Sequence, residues 1–389
     1  MPNTLEEIIR AEISAQGAIT FERFVELALY HPEHGYYASG RAAIGKAGDF
    51  YTSPHASRVF GELVAESYLS FKAGLGGGPC AFVEMGAGTG IMARDFLEHL
   101  DRYHPEELPQ CEYIIVERSA GMMARQKETL GAMSGRVAWR YSLDALSGPV
   151  TGVFFSNELV DSFPFHRVYK ENGYLREVYV ETRGGRLVEE PGVISTPLLA
   201  RYFNRLVVSL ETGMTTEANL RACEWMRSVA EKLEKGFVVT VDYGYPAYEY
   251  YSPERDKGTA ICHRDHKASL DFFRDIGQQD ITAHVDFTNL ALEGREAGLT
   301  DALYADQSSF LASALEIFER TLRKAGAPQE ELERVGMGIK ALIHPDWMGG
   351  AFKALVQTKG VSLPDVFGSA RNRLDELWQP GRSGSLNIN

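Results

Sequence analysis

Hydrophobic positions along this chain change period several times, and each change predicts an element. Leu5, Ile8, Ile9 and Ile13 follow helical spacing, with Thr4 and Glu7 placed as a capping box and Gly17 as the stop. A second short helix fits Phe21–Tyr30. The glycine- and aromatic-rich stretch from His34 to Pro54 carries few regular signals and is too long for a plain connector, which marks it as a functional loop. Ser57–Lys72 again reads as a helix. From Cys80 onward strand and helix alternate. Strands fit Ala81–Met85, Tyr113–Glu117, Val137–Arg140, Gly152–Ser156 and Phe237–Asp242, with helices at Ile91–Leu100 and Ala120–Thr129. Such alternation predicts an α/β fold with a mostly parallel sheet covered by helices on both faces.

The fourth and fifth of these strands are separated by roughly 75 residues, too many for a crossover. That segment opens with Phe165–Tyr169 and Tyr174–Glu181 around the turn Glu171-Asn172-Gly173, a hairpin signal, and continues with helical stretches near Pro197–Leu210 and Thr216–Lys235. It reads as a cap inserted at 165–235. A loop-rich region follows Asp242, then a helix at Asp286–Ala297, then helices near Ser308–Lys324 and Gln329–Ile343 within a helical insertion at 305–345. A strand near Leu299–Tyr304 and a last strand, Phe352–Thr358, would pair as an antiparallel hairpin at the sheet edge. The expected division is residues 1–56 as N-terminal helices with an active-site loop, and 57–389 as the main domain.

The chemistry concentrates at Phe82-Val83-Glu84-Met85-Gly86-Ala87-Gly88-Thr89-Gly90, a buried strand, a tight turn and the start of a helix. Gly86 and Gly88 let the backbone approach a ligand closely, and the helix points its N–H groups at it. A pyrophosphate-binding turn requires G-x-G-x-x-G. Here the third glycine, Gly90, arrives one residue early and Ile91 takes its place, which disfavours a nicotinamide dehydrogenase. Glu84 would repel pyrophosphate but suits the cationic amino acid end of S-adenosylmethionine. Glu117, closing the second strand, is placed for ribose hydroxyls, and Ser142, Leu143 and Asp144 for adenine. Asp144 reads equally as a helix cap. The turn predicts a methyltransferase.

The fourth strand runs into Asn157-Glu158-Leu159-Val160-Asp161, where a methyl donor would be faced. A guanidinium is not deprotonated in advance at neutral pH, but carboxylates can hold it bidentately and accept its proton as the bond to carbon forms. Glu158 and Asp161 are three apart, so one helical turn would put both on one face; the alternative is a helix cap. Gly48-Asp49-Phe50-Tyr51-Thr52-Ser53-Pro54 either holds the methionine end of the cofactor, through Thr52 and Ser53, or is a turn with Ser53 or Ser57 as a cap. Asp242-Tyr243-Gly244 either lines the substrate entrance or turns the chain. His284 either accepts a proton or belongs to a loop ahead of a helix cap at Asp286. Cys262, His263 and His266 form C-H-x-x-H without a second ligand pair, so no metal is expected.

Composition narrows the partners. The 389 residues carry a formal net charge of −13 and no basic stripe, which disfavours nucleic acid and tolerates a cationic protein substrate. The 44% hydrophobic content supports a large core. Four cysteines without a CxxC pair, no Arg-rich transit peptide, no signal core and no membrane span point to the cytoplasm. The oligomeric state is left open, a homodimer among the options.

Taken in order, Gly35-Tyr36-Tyr37, Gly48 to Pro54, Glu84 to Gly90, Asn157-Glu158 with Asp161 and Pro164, Asp242-Tyr243-Gly244, Asp280 to Phe287 and Met348-Gly349-Gly350-Ala351-Phe352-Lys353 make the chain resemble the MidA-type proteins over nearly its whole length. That family includes a mitochondrial complex I assembly-factor arginine methyltransferase. The resemblance implies a class I methyltransferase Rossmann-like sheet, S-adenosylmethionine as cofactor and methylation of an arginine in a complex I subunit or similar protein. Small-molecule methylation and a non-catalytic, cofactor-binding assembly chaperone are the alternatives; carboxylates beside the methyl group favour catalysis. Two departures bear on substrate. His55 stands where the family usually has an acid, and Phe352-Lys353 follows Gly349-Gly350 where glycine-glutamate is commoner.

Overall fold

A computed structural model describes residues 4–37, 53–343 and 351–380. The turn Gly48–Thr52 and the segment Met348–Gly350, both singled out in the sequence, lie outside the described residues. The chain opens with helix α1 (Thr4–Gln16), strand β1 (Ile19–Thr20) and helix α2 (Phe21–Tyr30), the last capped by Thr20, whose Oγ1 accepts the Arg23 N–H at 3.1 Å. Helices α3 (Ser53–Ala56) and α4 (Val59–Gly74) lead into β2 (Cys80–Met85), α5 (Ile91–Tyr103), β3 (Cys111–Val116), α6 (Ala120–Leu130), β4 (Val137–Arg140) and β5 (Val150–Asn157). Next come β6 (His166–Glu171), β7 (Tyr174–Arg183), β8 (Arg186–Gly192), α7 (Pro197–Asn204), β9 (Thr215–Ala218) and α8 (Leu220–Lys232). The chain then returns through β10 (Leu233–Tyr245), α9 (Ala247–Tyr250), β11 (Ile261–Arg264), β12 (Lys267–Ser269), β13 (Asp280–Thr282) and β14 (Val285–Asp286). It finishes with α10 (Phe287–Glu296), β15 (Thr300–Asp306), α11 (Gln307–Lys324), α12 (Gln329–Ile343) and β16 (Phe352–Lys359).

The central sheet has the order β15-β16-β10-β5-β2-β3-β4, with β14 paired to the end of β10. Strands β4, β3, β2, β5 and β10 are parallel, whereas β16 runs antiparallel to both β10 and β15. Both faces are covered, so each strand reads as a near-continuous apolar run. Along β2, Phe82 enters the core with Phe60, Phe96 and Phe318, and Ala81, Val83 and Met85 enter the opposite core with Met226, Val229 and Leu290. Along β10, Phe237, Val239 and Val241 face the first core and Val238 the second.

A second, antiparallel sheet has the order β1-β7-β6-β9, with β8 on β7. Its hairpin turns through Asn172 and Gly173, both at positive φ (51° and 86°), the pair a two-residue turn demands. Strand β1 pairs with Val180 and Tyr179 of β7, so the N-terminal segment and the inserted residues share a sheet and a core (Ile9, Phe21, Phe24, Phe165, Val180).

Three local expectations differ from the structure. The helix expected over Pro197–Leu210 stops at Asn204. Beyond it Leu206, Val208 and Leu210 are buried and Val207 is 70% exposed, an alternation that belongs to extended chain. The helix expected from Thr216 begins at Leu220, because Thr215–Ala218 pair with β6 and Asn219 caps the helix through the Ala222 N–H. The loop-rich region after Asp242 contains the small sheet β12-β11-β13, whose three- and four-residue strands are too short for a periodic signal. Among the described residues no helix is long and apolar enough to cross a membrane.

Glu217 of β9 locks the second sheet to the loop behind the cleft. Its buried carboxylate accepts from Tyr250 Oη (3.0 Å), Thr259 N (2.9 Å), Thr259 Oγ1 (3.2 Å) and Ala260 N (3.2 Å). Glu217→Ala strands these buried donors and is expected to cost about 3 kcal/mol or more. Denaturant unfolding measures it; a midpoint equal to that of the parent protein would show that the carboxylate anchors nothing.

Candidate active site

The carboxyl ends of β2, β3, β4 and β5 open into a cleft of about 840 Å³. At its floor β2 ends in Glu84, buried, accepting the Tyr113 hydroxyl at 2.7 Å. The chain then turns through Gly86, Gly88 and Gly90 at φ 68°, 50° and 83°, left-handed conformations that side chains resist. At Gly86 the space is also closed: a Cβ there would lie 2.6 Å from Leu159 Cδ1. Gly86 and Gly88 line the cleft, and Gly90 caps α5 behind them.

Glu117 follows β3. One oxygen accepts the Ser119 N–H (2.9 Å) and the other Gln126 Nε2 (3.0 Å). Gln126, buried on α6, also donates to Gly88 O (3.0 Å) and accepts from Trp139 Nε1 (3.0 Å). It therefore fixes the glycine turn to the acid of the next strand. Ser142 and Leu143 line the cleft beyond β4, next to Tyr141, which is 65% exposed. Asp144 also lines it and sits 3.7 Å from Lys232, on a short turn without a side-chain cap.

At the other end β5 stops at Asn157 and the chain bends at Glu158, a non-glycine residue at φ 51°. Such a backbone costs on the order of 1 kcal/mol and persists where the surroundings impose it. Here the Glu158 N–H donates to Val241 O (2.9 Å), and Glu158 Oε1 accepts Asn157 Nδ2 (2.9 Å) and the Ser53 N–H (3.2 Å). Asn157 Oδ1 is buried with no hydrogen-bond partner. Ser53 Oγ turns away to Gln307 Oε1 (3.1 Å), so Ser53 reaches the site through its backbone. Thr52 lies outside the described residues.

Glu158 and Asp161 do not share a helical face. Residues 160–162 form a 3₁₀ turn, and the left-handed bend at Glu158 sends the two side chains apart. Glu158 lines the cleft, whereas Asp161 is buried below with Asp242 and Asp280. Asp242 accepts the N–H groups of Val160 (2.9 Å), Asp161 (3.3 Å) and Tyr243 (2.8 Å), and Asp280 accepts the Tyr37 hydroxyl (2.8 Å). Burial pushes these acids up: Glu158 to about 8, Asp242 to about 7 against its backbone hydrogen bonds, and Asp161 well above the carboxylate range, where the neighbouring Asp242 adds to the effect. Burial likewise lifts Glu84 to about 7.

His284 is not in the cleft wall. Strand β14 lies beside the end of β10, so its ring packs between Tyr243 (6.1 Å between centroids) and Tyr245 (5.2 Å), and burial pushes it down to about 4. Asp286 caps α10 by accepting the Asn289 N–H (3.0 Å). His55 lines the cleft above the glycine turn, with Nε2 3.2 Å from Thr89 Oγ1. Sequence reasoning missed Gln126, Tyr30 and Trp225. Tyr30 lines the cleft beneath the Arg118 guanidinium (4.7 Å), and Trp225 lines it from α8 with its Nε1 unpartnered.

Similarity to known proteins fits this geometry. A family model described as S-adenosyl-L-methionine-dependent methyltransferase matches residues 63–304. A crystal structure of a protein from Burkholderia thailandensis, described as a methyl transferase and bound to S-adenosyl-homocysteine, superposes with a TM-score of 0.84 at 30% identity, covering 96% of this chain and 99% of the other. The mitochondrial protein arginine methyltransferase NDUFAF7 homolog of Drosophila melanogaster is 26% identical over 386 residues, 92% of this chain and 85% of its own. The Mus musculus NDUFAF7 is 26% identical over 374 residues, 88% and 81% of the two chains.

Two outcomes are expected. Gly86→Val drives a branched side chain into Leu159 at a left-handed position, and should keep the far-UV circular dichroism of the parent while losing S-adenosylmethionine binding by calorimetry. Parental affinity would exclude the turn from the site. Separately, Glu84, Glu158 and Asp242 keep protons in the folded chain that the unfolded chain has shed, so stability without ligand should fall as pH rises through about 7 to 8. His55 and His284, pushed down to about 4, act only below their ordinary 6.5 and leave this window unchanged. A melting temperature that is flat or rising from about pH 7 to about 8.5 would contradict the assignment.

Proposed function

The chain belongs to the S-adenosyl-L-methionine-dependent methyltransferase family, and on that premise we propose that it methylates an arginine side chain of a protein. The cofactor fits what the cleft offers: a glycine turn in left-handed conformations that side chains resist, acids at the ends of β2 and β3, and a buried acceptor without a donor at Asn157 Oδ1. In this reading Glu84, Gly86, Gly88 and Asn157 hold the amino acid end, with Gly90 and Ser53 supporting them from behind, one through the start of α5 and the other through its N–H to Glu158. Glu117 holds the ribose, and Ser142 and Leu143 border the adenine. When bound, the cofactor supplies an electrophilic methyl carbon on a sulfonium.

The observation that carries the arginine assignment is the acid group at the end of β5. Glu158 at one end of the cleft and Asp161, Asp242 and Asp280 buried beneath it crowd together, and in the free protein Glu158, Asp161 and Asp242 answer by retaining protons. A guanidinium entering there replaces those protons with a fixed positive charge, and binding is stronger than any neutral nucleophile could obtain. Glu158 Oε1 is held by Asn157 and Ser53, which leaves Oε2 to accept a guanidinium N–H. That contact orients one nitrogen, localises its electron pair and receives its proton as the bond to carbon forms. Asp161, buried below, does not reach the cleft wall and adds negative potential only where the incoming cation displaces its proton. His284 stands behind Tyr243 and orients that ring. The curated relatives are mitochondrial arginine methyltransferases; for this chain a cytoplasmic setting and a respiratory complex I subunit, or a protein like it, complete the proposal.

Lysate from a strain lacking the gene, incubated with labelled methyl donor and purified protein, should yield a labelled protein whose hydrolysate gives methylarginine. Label in small molecules alone, or no transfer at all, would overturn the reading. On the identified substrate Glu158→Gln should keep cofactor affinity and lose at least about 10²-fold in turnover. Unchanged turnover would remove Glu158 from the mechanism.

A further inference from the structure

Away from the cleft, where α4 packs on α5, three potential metal ligands meet in the core. Glu66 of α4 and His99 of α5 are fully buried, and His104, just past the end of α5, is 19% exposed. Both imidazoles aim Nε2 at the same carboxylate oxygen: His99 Nε2 lies 2.8 Å and His104 Nε2 3.1 Å from Glu66 Oε1. The donor atoms of the three residues all fall within 4.8 Å of one another. None of the three lines the cleft.

We propose that Glu66, His99 and His104 form a structural zinc site, with water from the His104 side as the fourth ligand. The alternative is a carboxylate bridged by two histidines and nothing more. Two features favour the metal. First, Glu66 Oε2 is buried without any hydrogen-bond partner, while Oε1 takes both histidines. A buried carboxylate oxygen with no donor costs about 1–3 kcal/mol, and a cation bound at this carboxylate offsets that cost. Second, the geometry needs little change. Tetrahedral zinc with bonds near 2.0–2.2 Å separates its ligand atoms by about 3.4 Å, so these pairs open by roughly 0.3–0.6 Å.

Two histidines and one carboxylate with an open position are a zinc donor set, and the ring of Phe318 (5.2 Å from His99) and that of Tyr103 (5.1 Å) wall the site against a substrate. The role is therefore structural: the ion clamps α5, which starts at the glycine turn, to α4. His99 Nδ1 has no partner of its own, and a ligand histidine without an outer hydrogen bond binds metal less tightly, so affinity should be micromolar rather than nanomolar.

The full chain, stripped with chelator, is titrated with zinc and separately with cobalt. One equivalent per chain is expected, together with a rise in melting temperature. The cobalt spectrum should show tetrahedral d–d bands and no thiolate charge-transfer band. Glu66→Gln and His104→Gln should each lower zinc affinity at least about tenfold, His104→Gln being the milder change to the core. No binding by the parent protein, or parental affinity in His104→Gln, would overturn the site. A thiolate band in the cobalt spectrum would also overturn it, moving the metal to Cys262 with His263 and His266.

Discussion

A group of carboxyls kept from water at the joint between β5 and β10 governs the rest of this molecule. Asp242 sits inside the sheet with no exposure, held by two backbone N–H groups from the turn that follows β5, those of Val160 and Asp161, and by that of its own neighbour Tyr243. Those bonds dictate where residues 160 and 161 lie, and so force the left-handed bend at Glu158. The bend in turn aims one carboxylate into the cleft and keeps another beneath it. Desolvation makes the ionised state of this group costly, and a site built in this way is poised to prefer a cation over water.

The two sheets divide the work of holding that arrangement. The central sheet supplies strand ends with fixed spacing, and the glycine turn, Gln126 and Glu117 form one hydrogen-bonded unit across β2 and β3. The antiparallel sheet, with β1 at its edge, brings α2 over the cleft, where the Tyr30 hydroxyl donates to Ser162 O (3.0 Å) and the neighbouring Tyr37 reaches Asp280. The N-terminal residues and the inserted segment, far apart in sequence, thus meet over the acids. Ser53 closes the contact by giving its backbone N–H to Glu158.

Much of this was legible in the sequence, for identifiable reasons. The apolar run Phe82–Met85 followed by alternate glycines can be read because strand, turn and helix are all local. The hairpin turn at Asn172-Gly173 can be read because its backbone conformation admits few residues. The edge pairing of β15 with β16 followed from two isolated apolar runs late in the chain. What escaped is what depends on distance. Gln126 is an ordinary helical glutamine until folding brings Gly88 and Glu117 to it. Glu158 and Asp161 have helical spacing, yet the backbone between them answers to Asp242, 81 residues from Asp161. Glu66 and His99 are separated by 33 positions and meet only because two helices pack.

Strand β16 lies inside the central sheet, paired with β10 on one side and β15 on the other, and seven of its eight residues are buried. During synthesis the parallel strands β2 to β5 and β10 emerge first, and the unsatisfied edge of β10 has no neighbour until residues 352–359 leave the ribosome. The nascent chain therefore carries an open, apolar strand edge from the emergence of β10 until that of β16, and loss of a short C-terminal portion would forfeit closure of the whole core rather than trim a tail.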